Sequence, residues 1–230
     1  MNSMFETSLF SGVAVSLLAY MLGVWLKKKL KLAIINPLLI SIAATIVILV
    51  VFRIDYEVYN KSARYLSWFL TPATVCLAIP LYEQWQLLKG NCKAVLGGII
   101  SGVLTSLLSV FVLCKLMGLS HREYVTLLPK SITTAIGMGV SEELGGYVTI
   151  TVAVIVVTGI VGNVIGELIF KLFRIEEPIS KGLALGSSAH AIGTAKAMEL
   201  GEIEGAMSSL SIAVSGVLTV ALASLFAYLL

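Results

Sequence analysis

Several long stretches of this chain contain no Asp, Glu, Lys, Arg or His. They are Thr7–Leu26, Leu32–Phe52, Tyr65–Tyr82, Ala94–Cys114, Leu144–Gly166 and Gly205–Leu230. A helix needs roughly 20 residues to cross about 30 Å of hydrocarbon. Charged side chains make up only 13% of the 230 residues, about half the fraction that is typical of soluble domains. The sequence therefore predicts an all-α, polytopic membrane protein in a lipid bilayer.

The predicted helices divide between two halves of the chain. In the N-terminal half, residues 1–120, helices are expected at about 7–26, 35–52, 65–85 and 94–116. Pro72 and Pro80 disfavour a straight third helix, so a kinked or broken span is expected there. In the C-terminal half, residues 121–230, polar motifs at 131–146 and 187–202 precede helices at 147–171 and 205–230. The total is about six to eight transmembrane helices, depending on how the motifs cross.

A lysine cluster after the first apolar run sets the expected orientation. Short loops rich in Lys and Arg stay on the cytoplasmic side of a membrane. The cluster consists of Lys27, Lys28, Lys29 and Lys31. It places the N-terminus outside the cytoplasmic (inner) membrane. Because the basic residues follow the apolar run instead of preceding it, a cleavable signal peptide is not expected.

One polar pattern occurs twice in the C-terminal half. SITTAIGMGVSEELGG runs from Ser131 to Gly146, and SSAHAIGTAKAMELGE runs from Ser187 to Glu202. Both begin with a serine and then contain Ala-Ile-Gly and Glu-Leu-Gly in the same order. Each copy precedes an apolar helix. The repeated unit is therefore a polar element followed by one crossing helix.

The repeat fits two topologies. If each motif is a re-entrant hairpin, each unit crosses once and the second unit is inverted relative to the first, as in many secondary transporters. If each motif spans the bilayer, the two units run parallel and the chain crosses about eight times. The loop 171–181 carries Lys171, Arg174 and Lys181. This loop lies inside only in the hairpin topology, which the positive-inside rule therefore favours.

The two motifs are also the expected binding site. Irregular backbone at membrane depth is tolerated only inside protein or beside a water-filled cavity, and helix N-termini favour anions. The expected carboxylate-binding residues are Ser131, Thr133, Thr134, Gly137, Ser187, Ser188, His190, Gly193 and Thr194. Close helix packing by small residues is the alternative explanation. Packing does not, however, require the same order of residues twice.

Charged candidates accompany the motifs. His190 occupies the position that Thr134 has in the first copy. A histidine at membrane depth is a candidate for carrying a proton or contacting an anion, and its alternative role is a structural hydrogen bond to a neighbouring helix. Lys130 and Lys196 can each neutralise a carboxylate, although Lys130 can also extend to a membrane interface.

Weaker candidates complete the expected site. Glu143 and Glu199 match across the repeat, and they either hold protons or cations or mark a water-facing turn. Asn36, Thr71 and Thr74 belong to the first half of the chain. They are expected to line the cavity, without support from a repeat.

No catalytic, cofactor or metal motif stands out. The chain has two histidines and three cysteines, with no CxxC pair, no GxSxG and no phosphate-binding glycine loop. We therefore expect no enzyme, no cofactor, no metal and no ATP-driven transport. The net charge of +3 is spread over loops, which gives no indication of nucleic-acid binding.

Three longer motifs resemble the LrgB/CidB family, which includes YohK-like inner membrane proteins. They are TPATVCLAIPLYEQ, LLPKSITTAIGMGVSEELGG and RIEEPISKGLALGSSAHAIGTAKAMELGEIEGAMSSL, and the resemblance extends from the region of Asn36 onward. It implies one of two functions. The first is a holin- or antiholin-like protein that acts with a small LrgA/CidA-type membrane partner on murein hydrolase activity, autolysis and cell death. The second is carboxylate transport, since plastid relatives are associated with glycolate and glycerate, and bacterial relatives with pyruvate.

The residues favour transport. Holins are small lesion-forming proteins, which need no duplicated, glycine-broken polar element. We therefore predict a carrier or facilitator for small monocarboxylates such as pyruvate or glycolate, with proton coupling through His190 as an option. Regulation of autolysis without a defined substrate is the alternative, and a purely structural partner of a small subunit is a third. A homo-oligomer is expected, because Gly98/Gly102 and Gly162/Gly166 offer faces for close helix contact within or between chains.

Overall fold

The computed structural model describes residues 8, 10–30, 36–76 and 78–230, without the side chains at positions 70, 71, 74, 80 and 81. These residues are almost entirely helical, and no β-strand occurs among them. The all-α prediction is therefore confirmed. The chain divides into two compact units, Met1–Cys76 and Leu77–Leu230.

The first unit consists of short and medium-length helices. They are α1 (Ser11–Leu30), α2 (Pro37–Val51), α3 (Tyr56–Ala63), a 3-10 helix (Arg64–Phe69) and α4 (Leu70–Cys76). Asn36 begins α2, because its side-chain oxygen accepts hydrogen bonds from the N–H groups of Leu38 at 2.8 Å and Leu39 at 3.3 Å. Ser62 Oγ accepts a hydrogen bond from Gly12 N at 2.7 Å. This bond ties α3 to α1.

The second unit contains the longest helices. Its helices are α5 (Ala78–Glu83), α6 (Trp85–Gly90), α7 (Cys92–Met117), α8 (His121–Leu127), α9 (Thr134–Glu143), α10 (Val148–Leu172), α11 (Pro178–Leu200) and α12 (Glu202–Ala227). Three of them, α7, α10 and α12, are long and apolar enough to cross a membrane. Their outer faces expose large apolar side chains, among them Leu168 and Val217. Large exposed apolar faces of this kind are typical of helices that contact lipid.

The structure supports part of the expected set of crossing helices. Only α7, α10 and α12 qualify among the described residues, so the expected six to eight transmembrane helices are not confirmed. The apolar helix α2 has 15 residues, which is shorter than the roughly 20 that a crossing requires. The span expected at 65–85 is divided among the 3-10 helix, α4, α5 and the start of α6. Pro72 and Pro80 lie in α4 and α5.

A tight turn connects α7 to α8. Gly118 ends α7 with a φ of 66°, a left-handed conformation that glycine adopts without strain. Ser120 and Glu123 then form a capping box at the start of α8. Hydrogen bonds from the Ser120 hydroxyl and backbone N–H, both 2.7 Å long, lower the pKa of the Glu123 carboxyl. The chain therefore reverses direction immediately after α7.

Helices α8 and α9 form a first hairpin, residues 121–143. A Cβ placed on Gly137 in α9 would stand 3.5 Å from the carbonyl oxygen of Pro129. Along a straight helix, two turns would separate such residues by about 11 Å. The two arms of the first hairpin therefore fold back on each other, with a tip near Lys130–Thr133.

Helix α11 forms a second hairpin, residues 178–200. The helix is interrupted at His190, whose φ is 43° and ψ −136°. Gly193 packs directly on the carbonyl oxygen of Leu185. Gly193 and Leu185 occupy the positions in the second motif copy that correspond to Gly137 and Pro129 in the first. Both copies of the repeat therefore contain a helix break at which the two arms contact each other at equivalent positions, more tightly in the second copy.

The close contact at Gly193 predicts that Gly193→Ala lowers stability. A Cβ there would collide with the Leu185 carbonyl and would stand 2.7 Å from the Ala189 side chain, so the arms must separate. Overpacking of this kind costs about 1–3 kcal/mol. Thermal unfolding in detergent should show a lower Tm for this variant. Gly139→Ala is the control, because no atom lies within 4 Å of that position, and equal Tm values for both variants would contradict the tight packing.

The two hairpins contact opposite halves of α10. In the first half, Thr151 Oγ1 donates a hydrogen bond to Ser141 Oγ of the first hairpin at 2.7 Å. In the second half, Gly166 packs on the Leu185 side chain of the second hairpin. The first hairpin therefore opens toward the start of α10, and the second opens toward its end. Both hairpins also reach Ile155 of α10, where Gly137 packs on the side chain and His190 lies against the carbonyl oxygen.

Candidate functional site

A polar cleft lies between α7, the tip of the first hairpin and the first arm of the second hairpin. Its volume is about 580 Å³. Its hydroxyl-bearing lining residues are Ser101, Thr105, Ser106, Ser109, Ser131, Ser180, Ser187 and Ser188. Lys130 is the one charged side chain in the lining within the described part of the chain. The cleft thus combines a single cation with many neutral hydrogen-bonding groups.

Lys130 is held by hydroxyl groups alone. Its ammonium donates hydrogen bonds to Ser131 Oγ at 2.9 Å and to Ser106 Oγ at 3.3 Å. Ser106 Oγ in turn donates to Ser131 Oγ at 3.0 Å. Both ion pairs found among the described residues belong to Lys196. No carboxylate in that part of the chain therefore neutralises Lys130.

This arrangement suits the binding of an anion. An ammonium has three N–H donors, and the two serine hydroxyls occupy two of them. The serines are neutral, so they leave the positive charge of the ammonium uncompensated in surroundings where an unpaired charge is unfavourable. A carboxylate in the polar cleft would supply the missing negative charge. It would also accept hydrogen bonds from the hydroxyls around it.

An apolar cleft adjoins the polar one. Its volume is about 390 Å³, and it lies between α10 and the first arm of the second hairpin. Its larger apolar lining residues are Val157, Val161, Ile165, Ile169, Phe170 and Leu185. Lys130, Ala184 and Ser188 line both clefts. Lys130 therefore stands where the two clefts meet.

His190 lies outside the lining of both clefts. It is only 3% exposed, and its Nε2 lies 2.9 Å from the carbonyl oxygen of Ile155. Because a carbonyl only accepts hydrogen bonds, Nε2 must carry the proton. The bond fastens the tip of the second hairpin to α10. It corresponds to the structural role considered from the sequence, and the role of His190 in proton transfer stays a prediction.

The other predicted binding residues form two groups. Ser131, Ser187 and Ser188 line the polar cleft, so both copies of the motif contribute to it. A second group lies at or behind the hairpin tips, outside the lining of either cleft; it contains Thr133, Thr134, Gly137, Gly193 and Thr194. Within this group, Thr194 is buried and shares a 2.7 Å hydrogen bond with Ser208 Oγ of α12.

Lys196 differs from Lys130 because its charge is paired. It forms ion pairs with Glu167 of α10 and, at 3.3 Å, with Glu199. Nearby, Asn163 Nδ2 donates to the carbonyl oxygen of Ile192 at 3.0 Å. These contacts hold the second arm of the second hairpin against α10.

The remaining candidates lie away from the polar cleft or outside the described residues. Glu143 is exposed at the end of α9. Asn36 caps α2 in the first unit. The side chains of Thr71 and Thr74 are outside the described part of the structure.

Helix α7 supplies cleft residues that were not predicted from the sequence. Ser101, Thr105 and Ser109 recur every fourth residue and line the cleft with Ser106. Residues at this spacing share one face of a helix. The signal in the sequence was therefore a polar stripe on an otherwise apolar helix.

Comparison with known proteins places this architecture in a family. A family model described as the LrgB-like family matches residues 16–229. The chain belongs to the LrgB-like family. The resemblance in its motifs is thereby confirmed, and family membership together with the three long apolar helices supports a membrane protein.

Two relatives of this LrgB-like chain carry the same name. The chain is 38% identical over 218 residues to the antiholin-like protein LrgB of Bacillus cereus strain B4264 and to that of Bacillus anthracis strain A0248. The match covers 94% of this chain and 95% of each relative. None of these names denotes an enzyme. No solved structure matches the chain.

Proposed function

We propose that this LrgB-like protein is a carrier or facilitator for small monocarboxylates of the size of pyruvate or glycolate in the cytoplasmic membrane. The proposal rests on Lys130, whose ammonium lies in a hydroxyl-lined cleft and, among the described residues, donates hydrogen bonds to Ser106 and Ser131 alone. A carboxylate complements both the charge and the hydroxyls. Charge-assisted hydrogen bonds are about twice as strong as neutral ones, so the ammonium provides most of the affinity.

The proposed route requires that the two hairpins enter the bilayer from opposite faces. Helix α10 is long enough to cross the membrane, and the hairpins open toward its opposite ends. If α10 crosses, the tips meet near the midplane, as in the inverted repeats of secondary carriers. The lysines at the end of α1 then place the N-terminus outside.

Uptake by purified protein in liposomes tests the carrier function. Labelled pyruvate and glycolate should enter faster than in empty liposomes, while a trapped dye of several hundred daltons should stay inside. Release of the dye would favour a lesion-forming protein. Uptake equal to that of empty liposomes, with orientation confirmed and a small LrgA/CidA-type partner supplied, would refute the carrier function.

We further propose that His190 couples uptake to protons. An inward gradient of one pH unit corresponds to about 1.4 kcal/mol, so coupling to one proton allows about tenfold accumulation of substrate. His190→Gln should abolish accumulation and retain the wild-type Tm, because the Gln amide can still donate to the Ile155 carbonyl. His190→Ala, which loses this bond, should lower the Tm. Accumulation by His190→Gln at the wild-type level would exclude His190 from coupling.

A second function is supported by the names of the relatives. Proteins that are 38% identical to this chain are called antiholin-like, which supports this function more directly than transport. In this case the chain regulates murein hydrolase activity and autolysis together with a small LrgA/CidA-type membrane protein. The small-residue faces at Gly98/Gly102 and Gly162/Gly166 pack within the chain against the second hairpin. The proposed homo-oligomer would therefore use other helix faces.

A further inference from the structure

The polar and apolar clefts are separated by a low ridge. Ala184 and Ser188 line both clefts, and they lie one turn apart on the first arm of the second hairpin. Ser188 Oγ donates a hydrogen bond to the Ala184 carbonyl oxygen at 2.6 Å. This bond turns the hydroxyl back onto its own helix. The ridge therefore presents only small side chains between the two clefts.

The ammonium of Lys130 lies on the side of the ridge that faces the polar cleft. Its partners Ser106 and Ser131 line the polar cleft and do not line the apolar one. Beyond the ridge, Val157, Val161 and the residues that follow at the same spacing line the apolar cleft. This face of α10, from Val157 to Ile169, extends about 18 Å at 1.5 Å per residue.

We propose that the two clefts bind one ligand, an aliphatic monocarboxylate, with its carboxylate at Lys130 and its hydrocarbon tail in the apolar cleft. This inference rests on the proposed carrier function and defines its substrate class. The ligands range from pyruvate to monocarboxylates with longer aliphatic chains. Charge complementarity at Lys130 identifies the ligand, since a lipid tail or an apolar helix would fill the apolar cleft but leave the ammonium unpaired.

The proposal predicts a specific dependence on chain length. Each methylene that moves from water into an apolar site strengthens binding by a constant free-energy increment. This increment corresponds to about fourfold in affinity. If the ligand bound only in the polar cleft, its affinity would not depend on chain length, because the tail would stay in water.

Displacement of labelled pyruvate from the purified full-length protein tests this dependence, with propionate, butyrate and hexanoate as competitors. Their inhibition constants should fall about fourfold per methylene, while butanol and hexanol should not displace pyruvate. Val161→Trp fills the apolar cleft, so the inhibition constants should then no longer depend on chain length. Val112→Trp is the matched control, because Val112 is exposed on α7 outside both clefts. Ile165→Trp serves as a second filling variant if Val161→Trp unfolds.

The outcomes separate this inference from the carrier function. Two results would show that the chain-length inference is wrong while leaving the carboxylate site intact. In the first, pyruvate binds but the inhibition constants do not depend on chain length. In the second, the dependence on chain length remains in folded variants whose apolar cleft is filled. Displacement by the alcohols as strong as by the acids would show a groove for lipid tails, which also overturns the inference. Direct binding of labelled hexanoate is measured in parallel. If neither labelled acid binds, the proposed carrier function is refuted as well.

Discussion

Lys130→Gln should raise the KM for pyruvate uptake by about 10- to 100-fold in proteoliposomes. A hydrogen bond to a charged group contributes about 1.5–3 kcal/mol, and each 1.4 kcal/mol corresponds to a factor of about ten. The variant loses the positive charge in the polar cleft. The Gln amide can still bond to Ser106 and Ser131, so we expect the Tm to stay close to the wild-type value.

Two lysine variants serve as controls for this result. Lys115→Gln removes a charge from the exposed end of α7 and should leave the KM unchanged. Lys196→Gln breaks the ion pairs to Glu167 and Glu199, so it should lower the Tm more than it changes the KM. If folded Lys130→Gln had the wild-type KM, Lys130 would not be part of the binding site. Equal increases in KM for all three variants would indicate a general effect of charge.

The crossing helices could be predicted from the sequence because hydropathy alone defines them. The uncharged runs 94–114, 144–166 and 205–230 correspond to α7, α10 and α12. The number of crossings could not be predicted in the same way. Runs of similar composition in the first unit form helices that are shorter or carry lysines at their ends.

The part of the candidate site that lies in the repeated motifs could be predicted from the sequence. The shared order of residues singled out Ser131 and Ser187, and the structure places both in the polar cleft. The hydroxyl stripe of α7 was not selected, because a single polar face has no second copy to distinguish it from packing. From the sequence, Lys130 and Lys196 were equally good candidates for binding a carboxylate. Only the fold brings Glu167 to Lys196 and leaves Lys130 among hydroxyls.

Cysteines introduced at Glu143 and Glu202 should react with a membrane-impermeant maleimide from opposite faces of the membrane. Glu143 ends the first hairpin, Glu202 follows the second hairpin, and both side chains are exposed. Since the hairpins open toward opposite ends of α10, a crossing α10 puts the two positions on opposite sides. The basic loop 171–181 places the second opening inside. Glu143→Cys should therefore be labelled in intact cells, and Glu202→Cys only after permeabilisation.

The labelling is performed in a background without Cys76, Cys92 and Cys114, with alanine at the buried Cys114. A cysteine at Lys28, in the basic cluster that ends α1, reports the inside face. If both motifs crossed the bilayer, the two repeat units would run parallel, and both test positions would be labelled from the same side. That result would contradict re-entry. It would also remove the inverted arrangement on which the proposed transport route depends, because parallel units cannot bring two re-entrant hairpins in from opposite faces.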